Sequence, residues 1–420
     1  MTRQTISLIQ IAFIIGCAAL VVPLFGGHDS DREKSSGESS PHIANIREQQ
    51  STTTEFKLVS RDPVRSMQGF LTLPLSGPDK VLLINAQGQE VHSWSVDAAR
   101  ARLLPDCSLL VVHGSKLASD KDVWKDLKDH LRLYSWEGEV LWEHVAEDWV
   151  HHDAHVLPNG NVLFLQKEEF PFPPDHPRDP LAEGAKIRSS KIIEVNRAGD
   201  IIWQWSAHDH LDLVNCGYAG CEKGQRLRKR GDSIWDWTHA NTAFPLPDNE
   251  LYRKGDKRFR PGNILFLPRS FWTAYLIDRE TGEVVWNYDG EYKNGKRIEG
   301  MVRGHEIYMI PDGLPGASHM LVVDNGLEGV RTFSKVIEFD PVSKETVWKY
   351  EDRENFFTRG GGSAQRLPSG NTLISEDVSG RVFEVTPKNQ IVWEGKSEFR
   401  ISRAHHYPLD YCKRLSTSDR

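Results

Sequence analysis

Histidine is the residue type in this chain with the widest chemical range, because its imidazole acts as a base, a nucleophile or a metal ligand near neutral pH. Several histidines occur shortly before a repeated segment of the type Leu-Pro-Asn-Gly. Counting back six residues from the repeat proline gives equivalent positions, which are Ala99, His152, Asn241, His305 and Gly362. His239 lies two residues before Asn241 and therefore faces the same side of a strand.

A related segment near the C-terminus carries His405 and His406. A single histidine in a strand usually hydrogen-bonds to the backbone and has no further role. Histidines at equivalent positions of several repeats, however, are expected to lie close together in the fold. Converging imidazoles are typical of metal binding or of acid–base and nucleophilic chemistry. His151 is not selected by the register, and His155 is expected to face the opposite side from His152.

Arginines accompany these histidines. Arg269 ends the second strand after His239, where its guanidinium is placed to bind an oxyanion bidentately; the alternative is a salt bridge between repeats. Arg359 precedes three glycines, residues 360–362, which give room at a position equivalent to the histidines. We predict that Asn241, His405, His406 and Arg359 bind substrate, and we predict no metal site.

The elements that position these residues are strands of a sixfold repeat. Each copy pairs a Leu-Pro-Asn-Gly-type hairpin turn with a short apolar strand that ends in tryptophan. Four antiparallel strands per copy predict an all-β, six-bladed β-propeller. The C-terminal strand is expected to complete the N-terminal blade, so that pairing of the terminal strands closes the ring. The six repeat tryptophans are Trp94, Trp142, Trp203, Trp286, Trp348 and Trp393.

The chain divides into four parts by composition. Residues 1–27 contain an uncharged apolar stretch at about 6–25 and are predicted to be a signal anchor or a cleaved signal peptide. Residues 28–66 are predicted to be a flexible linker, 67–412 the propeller and 413–420 a C-terminal tail. The propeller is therefore expected outside the cytosol, either membrane-anchored through the N-terminal segment or secreted.

Cysteine usage and charge narrow the function further. Cys216 and Cys221 are close enough in sequence to form a disulfide in an exported protein, and the alternative is two free thiols. The formal net charge of -7 and the lack of a basic, aromatic stripe argue against nucleic acid as a partner. The sequence does not indicate an oligomeric state.

Three ordered motifs resemble the arylsulfotransferase family, which consists of cofactor-independent enzymes with a six-bladed propeller. They are Trp237-x-His239-x-Asn241, then Arg269 before Ile277-Asp278-Arg279-x-Thr281-Gly282-Glu283-Val284-Val285-Trp286, then Gly304-His305 leading to Val323-Asp324-Asn325-Gly326. The likeness covers roughly residues 80–410.

The resemblance implies sulfuryl transfer from a phenolic sulfate ester to a phenolic acceptor, without the nucleotide donor PAPS and without a cofactor. A channel histidine of the family carries the group as a transient sulfohistidine. By position, His305 resembles that nucleophile, His239 and Arg269 its assistants, and His152 a further channel histidine. A protonated imidazole such as His239 is expected to help the phenolate leave.

Other interpretations remain open. A non-catalytic propeller that binds a partner or ligand outside the cytosol is the main alternative. Residues 278–286 also resemble the structural tryptophan repeats of quinoprotein dehydrogenases, although a calcium site of carboxylate and amide ligands is not evident near the channel. A metal-dependent hydrolase is the third alternative, because it would use the same histidines as ligands.

Overall fold

The computed structural model describes residues 55–115, 123–174, 184–223 and 234–415. The predicted signal anchor or signal peptide at 1–27 lies outside these residues, as does the predicted linker up to residue 54. Within the described ranges, no helix has both the length and the apolar character needed to span a bilayer.

Short strands make up most of the described chain, because hairpin turns interrupt it every few residues. In chain order they are β1 (Phe56–Arg61), β2 (Phe70–Ser76), β3 (Lys80–Asn85), β4 (Glu90–Trp94), β5 (Arg100–Leu103), β6 (Leu109–Val112), β7 (His130–Tyr134), β8 (Val140–Val145), β9 (Val150–Val156), β10 (Val162–Pro171), β11 (Lys186–Val195), β12 (Ile201–Ser206), β13 (Ile234–Asp236), β14 (Ala240–Pro245), β15 (Ile264–Pro268), β16 (Ala274–Ile277), β17 (Val284–Tyr288), β18 (Gly290–Lys293), β19 (Lys296–Gly300), β20 (Gly304–Met309), β21 (Met320–Asp324), β22 (Lys335–Phe339), β23 (Thr346–Glu351), β24 (Ser363–Arg366), β25 (Thr372–Glu376), β26 (Arg381–Val385), β27 (Ile391–Ser397), β28 (Arg400–Ile401) and β29 (His405–Tyr407).

The helical elements are single turns in the connections. They are α1 (Ala207–His210), α2 (Gly220–Lys223) and α3 (Glu250–Arg253), with 3₁₀ turns at Gly217–Ala219, Lys257–Phe259, Arg269–Phe271 and Asp377–Ser379.

Six antiparallel sheets form the blades. Blades 2 to 5 are β5–β8, β9–β12, β14–β17 and β20–β23, and blade 6 is β24–β27. In blade 1, β2, β3 and β4 are joined by β28 and β29 from the C-terminal end, which both pair with β2. The all-β, six-bladed propeller predicted from the sequence is thereby confirmed.

Two chain segments differ from the predicted domain boundaries. The end of the predicted linker 28–66 contains β1, which pairs with β27 as a fifth strand of blade 6. Phe56 is fully buried there, and its ring stacks on Trp393 with centroids 6.0 Å apart. The predicted tail 413–420 begins in ordered chain, since Leu415 is buried in a core cluster. Burial of these two apolar side chains accounts for both differences.

The repeat tryptophans connect successive blades. Each indole N–H donates a hydrogen bond to a backbone carbonyl in the outer turn of the next blade, and Trp393 of blade 6 donates to Ala86 of blade 1 at 2.8 Å. An indole N–H that is removed from water needs a hydrogen-bond acceptor, so these hydrogen bonds fix each blade against the next one. The other five pairs are Trp94 with Ser135, Trp142 with Arg197, Trp203 with Arg279, Trp286 with Pro341 and Trp348 with Pro387.

Two disulfides are present in the described chain. Cys216 and Cys221 are bonded to each other in the loop after α1. Cys107 and Cys412 are also bonded, across a sequence separation of 305 residues. This second bond, which was not predicted, joins the turn between β5 and β6 to the segment after β29, and so ties blade 2 to the C-terminal end of the chain.

Candidate active site

The innermost strands of the blades enclose a cavity of about 390 Å³, here called the histidine cavity. Four of the predicted residues line it together: His152, His239, His305 and Arg269. The ring of His152 has its centroid 5.4 Å from that of His239 and 6.0 Å from that of His305. The full lining is Ser76, Ala99, His113, Gly114, Ser115, Lys128, Trp149, Val150, His151, His152, Lys167, Arg188, Ser189, Ser190, Asp236, His239, Arg269, His305, Gly360, Gly361, Asp377, Arg400, Ser402 and Arg403.

β-Bulges and irregular ladders redirect three inner-strand side chains, of which those of His152 and His305 line the cavity. In blade 5 the ladder shifts register between Gly304 and Glu306, so that His305 is the extra residue. In blade 4 the equivalent extra residue is Asn241, and in blade 3 the ladder is irregular around His152. A bulge re-aims a side chain relative to the regular pleat. Three of the five register positions lie at such irregular points, whereas the ladders of β5 and β24, beside Ala99 and Gly362, show no shift.

Unusual backbone angles accompany the bulges. His152, His239 and Arg403 have φ values of 58°, 45° and 59°, in the left-handed region that residues other than glycine seldom occupy. Each such residue costs of the order of 1 kcal/mol, and such residues cluster at functional sites. Gly361, at φ 71°, lets the chain approach Asp377, because a Cβ there would lie 2.4 Å from a carboxylate oxygen.

His305 is buried and its imidazole is neutral near pH 7. Burial lowers the pKa of His305 well below its usual range, and the charges of Arg403 and Arg269 lower it further. Its Nδ1 lies 3.0 Å from the amide nitrogen of Asn241, so the Asn241 side chain holds the ring in place. A neutral imidazole has a free lone pair on one nitrogen, which is the form that attacks an electrophile.

His239 forms a pair with a carboxylate. Its Nδ1 contacts Oδ2 of Asp236, three residues earlier. Burial and then the charge of Arg269 lower the pKa of His239 to about 4, while Asp236 opposes that shift. Burial raises the pKa of the Asp236 carboxyl, but contact with His239 and the charge of Arg269 outweigh it and hold that pKa well below its usual range, so this acid is ionised. An ionised partner on Nδ1–H leaves Nε2 of a neutral His239 as a base.

His152 is linked to a histidine that the register did not select. The Nδ1 atoms of His151 and His152 lie 2.8 Å apart, so one ring donates to the other. Burial lowers the pKa of His151 to about 3 and lowers that of His152 well below its usual range. Both imidazoles are therefore neutral at pH 7, and they add hydrogen-bonding groups to the cavity without charge.

Arginine side chains supply fixed positive charge beside the imidazoles. Arg403 donates through Nη2 to the backbone carbonyls of Asn241 at 2.6 Å and His305 at 3.2 Å. Arg269 is held near His239 by its backbone N–H, which donates to the His239 carbonyl at 3.2 Å. These residues raise the positive potential at His305, which favours an anion close to the imidazole.

The charges lining the histidine cavity are unbalanced. Two carboxylates, Asp236 and Asp377, face six cationic side chains, whereas the whole chain has a formal net charge of -7. The cavity is therefore positive within a negative protein, a distribution that concentrates small anions. The six cationic residues are Lys128, Lys167, Arg188, Arg269, Arg400 and Arg403.

Three residues predicted to bind substrate lie elsewhere. His405 lines a second cavity, described below, and His406 is buried with Nε2 2.7 Å from the backbone carbonyl of Gln68. Arg359 is exposed and forms an ion pair with Glu328 at 2.9 Å. The fourth, Asn241, touches His305 as described. The C-terminal inner segment contributes Arg403 to the histidine cavity instead, because β28 and β29 are separate short strands rather than one in repeat register.

The second cavity, here called the distal cavity, has a volume of about 240 Å³ and is lined by later residues of the same inner strands. Its arginines are matched by acids: Arg100 with Glu306 at 3.0 Å, and Arg102 with Asp153 at 3.0 Å. Arg403 lies between the cavities and approaches Glu306 at 3.5 Å. The lining is Arg100, Arg102, Asp153, Thr242, Phe244, Glu306, Ile307, Tyr308, Pro311, Leu314, Ala364, Gln365, Arg366 and His405.

Sequence reasoning missed Asp236, Arg403 and His151. Asp236 carried a usable signal, since it precedes His239 by three residues within the same motif. His151 adjoins His152, but alternation along a regular strand would have turned it away; the irregular ladder of β9 removes that rule. Within the described residues, no group of three or more His, Cys, Asp and Glu side chains is arranged to hold a metal ion.

The fold and the cavity thus define a six-bladed propeller with a cationic, histidine-lined centre. The arylsulfotransferase (ASST) family model matches residues 130–400, and the chain belongs to that family. Family membership makes it a protein of the aryl sulfotransferase class, with small aryl molecules as the substrates of that class. No curated protein shows significant similarity to the chain.

The similarity to solved structures is distant. A protein of unknown function from Bacteroides caccae has a TM-score of 0.47 at 13% identity, covering 80% of this chain and 98% of its own. Apo AztD from Citrobacter koseri has a TM-score of 0.39 at 10% identity, covering 81% and 98%. Virginiamycin B lyase from Staphylococcus aureus has a TM-score of 0.33 at 10% identity, covering 81% and 74%. Likeness at this level carries no argument about activity.

Proposed function

We propose that the protein transfers a sulfuryl group from a phenolic sulfate ester to a phenolic acceptor through a sulfohistidine on His305, without a nucleotide donor or a cofactor. The observation that carries the proposal is a neutral, buried imidazole beside Arg403 and Arg269 in a cavity with excess positive charge. A sulfate monoester is an anion, and its sulfur is attacked by a neutral nitrogen nucleophile. Membership of the ASST family supports the same chemistry.

In the first step, a nitrogen of His305 attacks sulfur while the bond from sulfur to the phenolic oxygen breaks. The products are an N-sulfo-imidazolium, which is neutral overall, and a phenolate that carries away the negative charge. Arg269, Arg403 and His152 stabilise charge on the sulfuryl oxygens, and a single donor of this kind contributes about 3 kcal/mol in other enzymes.

Asn241 decides which nitrogen of His305 is available. When the amide is rotated by 180°, its oxygen faces Nδ1, so the proton lies on Nδ1 and the lone pair is on Nε2. In the arrangement that the structure shows, the amide nitrogen donates to Nδ1 and the proton lies on Nε2. The rotated arrangement suits the mechanism, because the amide oxygen continues to accept the Nδ1–H of the N-sulfo-imidazolium. Asn241 is thus a positioning residue rather than a substrate ligand.

In the second step, an acceptor phenol replaces the first product. His239 takes its proton, and the phenolate oxygen attacks sulfur to regenerate neutral His305. The pKa of about 4 for His239 changes the mechanism expected from the sequence, in which a protonated His239 assists the leaving phenolate. A neutral His239 starts as the base, and the proton it gains leaves with the next phenolate.

The test combines turnover with detection of the intermediate. We expect the full chain to release 4-nitrophenol from 4-nitrophenyl sulfate when a phenol is added and no nucleotide is present. Mass spectrometry after exposure to donor alone should find a labile sulfuryl adduct on His305. If wild-type turnover equals that of His305→Ala, the protein is not a sulfotransferase, and the non-catalytic propeller becomes the better interpretation.

We also propose that residues 1–27 direct the propeller out of the cytosol and that pairing of the terminal strands closes the ring. The two disulfides support an oxidising compartment, and the pairing of β2 with β28 and β29 supports closure. N-terminal sequencing of the protein from its native membrane or medium distinguishes an anchor from a cleaved signal peptide. Removal of residues 400–412 should abolish folding if the C-terminal strands complete blade 1.

A further inference from the structure

The histidine cavity contains more positive charge than one sulfate ester needs. Arg269, Arg403 and Arg400 already accompany His305. Arg188 is neutralised by Glu169, whose carboxylate accepts from Nη2 at 2.6 Å. Lys128 and Lys167 remain on one wall of the cavity with Trp149 between them.

The ammonium of Lys167 contacts an aromatic ring. Its Nζ lies 3.8 Å from the centroid of the Trp149 ring, and the Nζ of Lys128 lies 4.8 Å from the same centroid. Within the described part of the chain, no carboxylate forms an ion pair with Lys167. Burial and then the charge of Arg188 lower the pKa of Lys167 to about 8, while the charges of Asp236, Asp148 and Glu169 oppose that shift. A part-buried ammonium in that position is stabilised by an added anion.

The backbone fixes these three side chains relative to one another. The Lys167 N–H donates to the Trp149 carbonyl at 2.9 Å, and the Val150 N–H donates to the Lys128 carbonyl at 2.8 Å. Trp149 has an exposed fraction of 44%, so this group lies where the cavity meets solvent. Two lysines and an aromatic ring on a hydrogen-bonded frame are preorganised for an anionic aromatic ligand.

We propose that Lys167, Lys128 and Trp149 form a second anion subsite, which takes a carboxylate or similar anionic substituent on the aryl ring of the substrate. The proposal rests on the proposed sulfuryl transfer and narrows its substrates to aryl sulfates or phenols with a second negative charge. The sulfate lies against His305 and Arg269, the ring lies near Trp149, and the second anion contacts the lysines.

The test measures binding separately from turnover. The full chain is titrated calorimetrically with 4-sulfobenzoate, whose sulfonate mimics the sulfate, and with 4-carbamoylbenzenesulfonate, in which the carboxylate is replaced by a neutral group of similar shape. We expect about tenfold tighter binding of 4-sulfobenzoate, the value of one charge-assisted contact. Lys167→Met should bring the two affinities close to equality, and Lys186→Met, an exposed lysine on β11 outside the cavity, should not.

Turnover gives a second measurement. The sulfate esters of 4-hydroxybenzoate and 4-hydroxybenzamide are compared as donors, and Lys167→Met should lower the ratio of their kcat/KM values about tenfold relative to wild type. Comparing the ratio between variants cancels the difference between the leaving phenols. Circular dichroism establishes that each variant is folded.

The outcomes separate the two proposals. Equal wild-type affinity for the two sulfonates, or a preference that survives Lys167→Met, overturns the subsite. A Lys167-dependent binding preference without turnover of either ester supports the subsite and overturns sulfuryl transfer. Turnover of both esters with a ratio unaffected by Lys167→Met supports sulfuryl transfer and overturns the subsite.

Discussion

The two central cavities are lined by the same inner strands but differ in how their charges are compensated. In the distal cavity each arginine has an acid partner, as in the pair of Arg366 and Glu338 at 2.6 Å. In the histidine cavity, cations exceed carboxylates and the imidazoles are neutral. Paired charges hold inner strands together, whereas a part-buried ammonium such as that of Lys167, which forms no ion pair among the described residues, costs stability unless a ligand completes it. The difference supports the proposal that substrate binds in the histidine cavity, while the ion pairs of the distal cavity stabilise the fold.

The largest expected effect contrasts one histidine from each cavity. We expect His305→Ala to lower kcat/KM for 4-nitrophenyl sulfate by at least roughly 10³-fold, because the nucleophile is lost. His405→Ala, in the distal cavity, should change it less than about threefold. Steady-state kinetics of both folded variants measure this. A comparable loss of kcat/KM in the two variants would mean that the reaction does not depend specifically on the histidine cavity.

The next contrast concerns paired and unpaired cations. Arg366→Met leaves buried Glu338 with His319, at 2.8 Å, and without its arginine partner, so the free energy of unfolding should fall by about 3 kcal/mol. Lys167→Met breaks no ion pair among the described residues and removes only the contact of the ammonium with the Trp149 ring, so it should change the free energy of unfolding by about 1 kcal/mol or less. Urea unfolding of both variants provides the values. Equal losses would show that Lys167 is as structural as Arg366.

A third contrast compares two histidine–aspartate pairs. Asp236→Asn removes the charge that orients His239, and kcat should fall about 100-fold. The other pair, His155 and Asp153, lies 3.2 Å apart outside the histidine cavity. His155→Gln should alter kcat less than about threefold. A small loss in Asp236→Asn would mean that His239 does not act as the base.

The smallest effect concerns stability and pH. Burial holds the pKa of His151 at about 3 and that of His239 at about 4, below the ordinary 6.5. From about pH 6.5 downwards the unfolded chain therefore binds protons that the folded chain does not, so stability falls as pH falls. One such imidazole contributes roughly 1–2 kcal/mol of loss between pH 7 and 5.

The matching experiment is urea unfolding at pH 7, 6 and 5. His151→Gln should reduce the loss of stability between pH 7 and 5, while His210→Gln, an exposed residue of α1, should leave it as in wild type. An unchanged slope in His151→Gln would mean that the cavity histidines are not buried in neutral form.

Much of the fold was accessible from the sequence because propeller blades repeat. One repeat tryptophan occurs in each blade, so the number of these tryptophans gives the number of blades. Counting back from the repeat prolines identified His152, Asn241 and His305, which lie at irregular points of their ladders. The register failed for the last inner segment, where β28 and β29 are short and separate, and His405 and His406 were chosen instead of Arg403. The disulfide between Cys107 and Cys412 was equally inaccessible, since their proximity depends on the packing of the terminal blade.

The sequence by itself determined the blade count, the order of the inner strands and the four side chains, His152, His239, His305 and Arg269, that meet in one cavity. These follow from local periodicity, which is written in consecutive residues. Only the tertiary structure decided the charge balance, the pairing of His239 with Asp236, the role of Arg403 and the neutral state of the imidazoles. Burial and the distances between residues of different blades set those properties, and neither is a property of any one segment.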